Sequence, residues 1–416
     1  MTAILDRRRG LGSRSTRYGR ILVALAILVF ALSLRTAVTA LTPLLTAIGA
    51  DLGFGSAVMG VFGMLPTAMF AVAGLATPWF TARFGLERVT LAAVAFTAIG
   101  IALRSVTSGT AGLLALSCVA LLGMGIGNVV LPPLVKRYFA DGVAAMSTAY
   151  LLCVQLGTTI PPLTAVPLAD AYGWRMSLAV WAIIPIAALL PWVGVVLARR
   201  GHDVHDHTGE AAGESTGTVW RSPVAWGMAA MFGMTSLMTY SMFTWIPAVL
   251  ASAGGSASLG GNMVALFSGV GFVATFVAPA AATRIRNPFP VALACAAVLL
   301  IGFAGLLWAP MTATWLWITL IGLGPTTFPM ALTLINQRTR TGAGSAALSG
   351  FAQGVGYTAA CAGPLLFGIL HSATGGWSVP FGFLVGTTVV MLVGAFHACR
   401  PRMLEDTWGR AGAVAR

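Results

Sequence analysis

The chain has 416 residues, 57% of them hydrophobic and only 8% charged, whereas soluble domains carry about 25% charged residues. A net charge of +13 points to nucleic acid only when it forms a basic face on a water-soluble domain, and here the basic residues punctuate long apolar runs. The five cysteines, Cys118, Cys153, Cys295, Cys361 and Cys399, lie in or beside those runs without paired or metal-ligand spacing, so neither a disulfide framework nor a metal site is expected.

In chain order, a basic tail over 1–19 leads into a first apolar run at 20–49. Its core, Ile21 to Leu34, resembles a secretory signal, but eleven further runs follow and it reads as the first of a series. Runs at 56–82, 86–106, 110–135, 143–170 and 176–198 complete a first set of six. A polar linker at 200–222 precedes runs at 223–251, 260–283, 288–308, 312–335, 343–371 and 378–398, and a second tail occupies 400–416. About 20 apolar residues suffice to cross a hydrocarbon layer of about 30 Å, so each run predicts one spanning helix. The linker tract His202, Asp203, His205, Asp206, His207 is expected to be a solvated connector rather than a metal site, because nothing fixes its geometry.

With the first tail placed in the cytoplasm, the loops and tails on that side collect all but Arg35, Arg104 and Arg175 of the 24 Lys and Arg residues. Cytoplasmic loops accumulate basic residues, so both termini and the linker are expected to be cytoplasmic. The two halves also echo one another. Pro78 and Arg83 recur 201 residues later as Pro279 and Arg284, Pro43 recurs as Pro247, Gln155 as Gln353, and Gly173-Trp174 as Gly376-Trp377. Parallel repeats of this kind build transporters with a pseudo-twofold axis along the membrane normal and a solute site near the midplane. The expected fold is therefore an all-α membrane protein with twelve transmembrane helices in two pseudo-symmetric six-helix bundles, 20–199 and 223–399.

An ionisable residue inside the bilayer is expensive and marks function by default. Arg35 lies mid-run in the first span, whereas Arg104 and Arg175 fall at run ends, so Arg35 is expected to be essentially the one intramembrane charge. Every Asp and Glu lies in a tail, a loop or a run end, and so does every His. Arg35 can pin a kinked helix by bonding carbonyls, or it can contact a ligand. The missing counter-ion favours the second, with a small anion completing the charge. Asn128, Tyr150, Gln155, Tyr240, Thr326, Thr327, Gln353 and Tyr357 also fall near mid-span; each is a candidate for lining the same cavity or for hydrogen-bonding helix to helix.

The segments Leu34-Arg35-Thr36-Ala37-Val38, Gly127-Asn128-Val129-Val130-Leu131-Pro132, Thr244-Trp245-Ile246-Pro247 and Ala352-Gln353-Gly354-Val355-Gly356-Tyr357 together resemble the cyanate and nitroimidazole permease family of major facilitators. The loop from Ala82 to Val89 resembles the superfamily's signature between helices two and three. Ala82 stands there where an Asp is usual, and Pro78 where a Gly is usual. The resemblance implies a gating role for Arg83, Glu87, Arg88, Lys136, Arg137 and, through the repeat, Arg284. It also implies alternating-access transport of a small anionic or dipolar solute such as cyanate or a 2-nitroimidazole, with no enzymatic step and no cofactor, by a monomer in the cytoplasmic membrane. A proton-coupled exporter, a passive channel and a membrane sensor are the rival readings.

Overall fold

The computed structural model describes residues 19–199 and 218–407; the linker histidines and the ends of both tails lie outside the described residues. Twelve helices span the described chain: α1 (Gly19–Leu52), α2 (Ser56–Phe84), α3 (Leu86–Arg104), α4 (Thr110–Tyr138), α5 (143–172), α6 (174–199), α7 (Pro223–Ser252), α8 (Ala257–Arg284), α9 (Phe289–Trp308), α10 (Thr314–Gln337), α11 (Gly342–Thr374) and α12 (Ser378–Cys399). α5 and α6 form one continuous stretch broken only at Gly173, whose φ of 81° an L side chain rarely adopts. Odd-numbered helices start at the face where residue 19 lies, here the tail face, and even-numbered ones start at the far face.

Helices satisfy this sequence in lipid because each backbone group is bonded within its own segment. Where a helix starts, side chains supply what the backbone lacks: the hydroxyls of Ser222 and Thr341 accept from the amides of Val224 and Gly344. Outward-facing residues are apolar. Leu75, Leu190 and Trp308 are 77%, 79% and 80% exposed, a surface that only a hydrocarbon environment makes inexpensive.

The internal repeat is visible as repeated contacts. Trp174, at the α5–α6 corner, donates from Nε1 to Asp51 at 2.9 Å. Trp377, at the α11–α12 corner, donates from Nε1 to Ser252 at 2.7 Å. Positions 51 and 252 are related by the same offset that relates Arg83 to Arg284. Likewise Gly100 lets α3 close on the backbone of Ala120 in α4, and Gly302 lets α9 close on Trp317 and Ile321 in α10. Such small-residue contacts replace hydrophobic collapse as the packing device inside a membrane.

The bundles meet along α2 against α11 and along α5 against α8. The close approaches cluster toward the far face. Gly60 abuts the carbonyl of Pro364, Gly63 abuts Pro364 and Thr244, Gly261 sits on the carbonyl of Pro162, and the Ser56 and Ser372 hydroxyls are 2.6 Å apart. Nearer mid-depth, Thr67 donates to Cys361 at 3.3 Å and Gln155 donates to the carbonyl of Ser268 at 2.8 Å. Toward the tail face a surface groove of about 530 Å³ lies between α2 and α11, lined by Leu75, Gly354 and Thr358 among others. The closest contacts between the bundles therefore lie toward the far face.

Candidate functional site

α1 is not continuous. Its first segment ends at residue 33, Leu34 and Arg35 form a turn, and Thr36–Thr39 and Leu45–Leu52 resume the helix around a 3₁₀ turn at Thr42–Leu44. Hydroxyls repair the break: Ser33 donates to the carbonyl of Phe30 at 2.7 Å, Thr36 to Ser33 at 3.0 Å and Thr39 to Arg35 at 3.2 Å. Ser and Thr hydroxyls satisfy carbonyls that a broken helix would otherwise leave in lipid. The break thus sets the Arg35 side chain, at the midpoint of α1, toward the opposite bundle.

Arg35 is half-buried, donates from Nη1 to the Tyr240 hydroxyl of α7 at 3.2 Å, and lies 4.9 Å from the ring centroid of Phe70 in α2. Tyr357 of α11 is within electrostatic reach of both Arg35 and Tyr240, and its ring packs edge-on against Phe232 at 5.0 Å. Among the described residues no carboxylate pairs with Arg35. One hydrogen bond from a guanidinium with five donors leaves most of its fork available. A planar, doubly donating cation beside a phenol and an aromatic face suits a small planar anion or a nitro group.

Arg35, Tyr240 and Tyr357 therefore converge, and Phe70 joins them although nothing in the sequence distinguishes it from the other twenty phenylalanines. Several of the remaining polar candidates are hydrogen-bonded to other groups. Gln155 spends its amide on Thr159 and on Ser268 across the α5–α8 seam, Gln353 donates to Ser349 on its own helix at 2.7 Å, and Thr327 is fully buried against the Thr235 hydroxyl at 2.7 Å. Thr326 donates to the carbonyl of Leu323. Asn128 and Tyr150 are half-buried on α4 and α5; the glycine preceding Asn128 lies against Phe30 and Leu34, one residue from Arg35.

Of the tail-face candidates, Glu87 is 93% buried and accepts from the Tyr138 hydroxyl at 2.8 Å, with Arg137 3.6 Å away. Arg83 lies over the rings of Trp79 and Phe84, while Arg88, Lys136 and Arg284 are exposed.

Among the described residues three other charged side chains are enclosed by the protein. Glu87 is buried at a helix start, Arg338 is buried and donates to the terminal carbonyls of α12 at Ala398 and Cys399, and Arg104, the last residue of α3, is 0% exposed. Position along an apolar run reports depth in the bilayer, but lateral packing against a neighbouring helix decides burial. Arg175, by contrast, stays at the far face, partly exposed and paired with Asp51 at 3.2 Å.

A sequence model of the Major Facilitator Superfamily matches residues 21–361. The 2-nitroimidazole transporter of Escherichia coli (strain K12) is 34% identical over 392 residues, 93% of this chain and 97% of its own. The cyanate transport protein CynX of the same strain is 26% identical over 88% of this chain and 96% of its own. Among solved structures, a bacterial homolog to the human lysosomal transporter Spinster in an inward-facing and occupied conformation superposes with a TM-score of 0.71 at 15% identity, covering 94% of this chain and 98% of that one. The xylose transporter XylE from E. coli in its inward-open conformation superposes at 0.65 with 10% identity, over 90% and 95% of the two chains. With these likenesses added to twelve membrane-spanning helices in two repeated bundles, the chain is a multi-pass membrane transporter and not an enzyme, and it belongs to the Major Facilitator Superfamily alongside the 2-nitroimidazole and cyanate transporters.

Proposed function

We propose that this transporter carries a small planar anion or nitro-heterocycle by alternating access, with Arg35 as its anchor. The observation that carries the reading is a mid-helix guanidinium that meets the Tyr240 phenol and the Phe70 ring but, among the described residues, no carboxylate. A solute bearing negative charge or a nitro group supplies the acceptors that the protein withholds. The names of the two E. coli relatives support the solute class without fixing the member of it.

In this reading the bundles are 20–199 and 223–399, joined by a linker at 200–222. The basic residues clustered at the tail face support a cytoplasmic placement of that face, and the closest bundle contacts, lying toward the other face, support an inward-facing reading of the conformation. Solute reaches Arg35 through the groove between α2 and α11. Rocking the bundles then separates the far-face contacts made by Gly60, Gly63 and Gly261 and closes the tail face around the Glu87, Tyr138 and Arg137 cluster, with Arg83, Arg88, Lys136 and Arg284 at its rim. Asn128, Tyr150, Gln155, Thr327 and Gln353 line or brace the path as the bundles move. Arg35 and the groups that touch it, Tyr240 and Phe70, all come from one chain, which supports a monomer as the working unit.

Radiolabelled counterflow in proteoliposomes across cyanate, other small anions and 2-nitroimidazoles tests the assignment. Saturable exchange of one class supports it. Conduction without saturation or counterflow would indicate a channel, and no response to any of the panel would remove the solute class.

A further inference from the structure

Arg338, just past the end of α10, is buried against backbone carbonyls rather than a carboxylate. Its Nε donates to Ala398 at 3.3 Å and its Nη2 to Cys399 at 2.8 Å, both at the end of α12, and the same Nη2 reaches the carbonyl of Arg286 in the α8–α9 loop at 3.5 Å. One nitrogen thus holds that loop against the last turn of α12, which brings Arg286 and Arg400 to one corner of the tail face. Arg402 joins them, its amide bonded to the carbonyl of Arg400. Arg286 and Arg402 are exposed, and the half-buried Arg400 lies 4.0 Å from the ring centroid of Phe396. Phe396 in turn meets Phe289, the first residue of α9, edge-on at 5.7 Å.

Among the described residues no carboxylate balances this corner. None of Arg286, Arg338, Arg400 and Arg402 belongs to an ion pair there. The acidic residues of the adjoining segment are spent on the start of α11: Asp406 grips Arg340 with both oxygens, and Glu405 accepts from the amides of Arg340 and Thr341. Like charges held this close repel, and the enclosed Arg338 has given up its hydration without gaining a counter-ion. The corner therefore favours an anion.

The surface leading away from the arginines says which kind. Val389 and Val393 lie two turns and one turn into the span from Phe396, on the same face of α12, and Leu293 lies one turn in from Phe289 on α9; all three are exposed. Cations at the helix ends above an apolar wall match a charged headgroup above acyl chains. A soluble anion would use the cations and leave the wall idle.

We propose that the α9–α12 corner binds an anionic phospholipid, its phosphodiester held by Arg286, Arg400 and Arg402 and its chains laid along Leu293, Val389 and Val393. Phosphate oxygens suit guanidinium forks, and basic clusters at the ends of spanning helices recruit anionic lipids. The lipid ties the α8–α9 loop to α12 from outside as Arg338 does from inside, so it stabilises the folded chain as a ligand. The site lies apart from Arg35 and is independent of the solute assigned there.

The test melts the full chain, purified in detergent, with added phosphatidylglycerol, with phosphatidylcholine of the same acyl chains, and with inorganic phosphate. Phosphatidylglycerol alone is expected to raise the melting temperature by several degrees in a saturable way. Arg400→Gln should raise its midpoint severalfold and Arg286→Gln/Arg400→Gln should abolish the effect, whereas Arg221→Gln, which removes another tail-face arginine set over an exposed ring at 5.1 Å, should leave it unchanged. A phosphatidylglycerol carrying a photoreactive acyl chain should label α9 and α12. If the double variant does not fold, Arg400→Gln and the labelled peptides decide. An equal response to phosphatidylcholine, the same shift with inorganic phosphate, an equal loss in Arg221→Gln, an unchanged midpoint in Arg400→Gln, or labelling confined to other helices overturns the proposal and leaves the transport reading untouched.

Discussion

Replacing Arg35 by Lys keeps the charge and removes the fork. In the structure Arg35 has one hydrogen bond, to Tyr240 at 3.2 Å, and a ring contact with Phe70 at 4.9 Å. Its remaining donors can therefore grip two acceptor atoms of a solute at once. A lysine ammonium is a compact point charge that cannot reproduce a planar bidentate contact. Losing one of two charge-assisted hydrogen bonds costs about 1.5–3 kcal/mol, and the ring contact adds about 0.5–1 kcal/mol where partly solvated. At about 1.4 kcal/mol per decade, the first term alone predicts a loss of solute affinity of about 10- to 150-fold. Arg35→Ala removes the charge as well and should abolish saturable transport of an anion. The assay is the half-saturating solute concentration in counterflow, with membrane abundance measured in parallel. Unchanged affinity in both variants, at normal abundance, would refute the ligand role and leave Arg35 as a brace for the break in α1.

Three other consequences are open to measurement. A side chain at Gly60 meets the carbonyl of Pro364 at 2.8 Å and the Cα of Leu365 at 3.0 Å, so Gly60→Val should oppose far-face closure by about 1–3 kcal/mol. It should slow counterflow and expose Cys361 to an impermeant maleimide from the far side; wild-type transport would contradict the gate. No Asp, Glu or His is among the described residues that meet at Arg35, so uniport or exchange is expected, with any pH dependence tracking the solute's own pKa. Uphill transport of a non-titrating solute driven by a pH gradient alone would overturn that. A cysteine placed at exposed Asn287 in a cysteine-free background should resist impermeant thiol reagents on intact cells, and strong labelling there would invert the proposed topology.

How much of this was legible before the fold was known follows from what hydropathy encodes. Span number, the repeat and the isolation of Arg35 are one-dimensional features, and all are written in run lengths, charge positions and offsets. The direction of a side chain around its helix is not, because a helix apolar on every side carries little amphipathic signal. Thr327 and Tyr240 both lie mid-span, yet the first turns into its own bundle toward Thr235 and the second faces Arg35. Gln155 likewise reads as a cavity residue from depth alone but ties α5 to α8. Arg104 lies at the end of its run as the sequence indicates, but its bond to the carbonyl of Ala37 on the broken α1, which encloses the side chain, is not written in run position.

The account stands on the far face being a gate that opens in every transport cycle, and one pair of residues tests that directly. The Ser56 and Ser372 hydroxyls, on α2 and α11, are 2.6 Å apart, a separation from which cysteines at the same two positions can bridge. In proteoliposomes of the Ser56→Cys/Ser372→Cys variant lacking the native cysteines, the reduced protein should show counterflow, oxidation should abolish it by locking the bundles together, and reductant should restore it. Undiminished counterflow through a quantitatively oxidised protein would contradict alternating access across this seam.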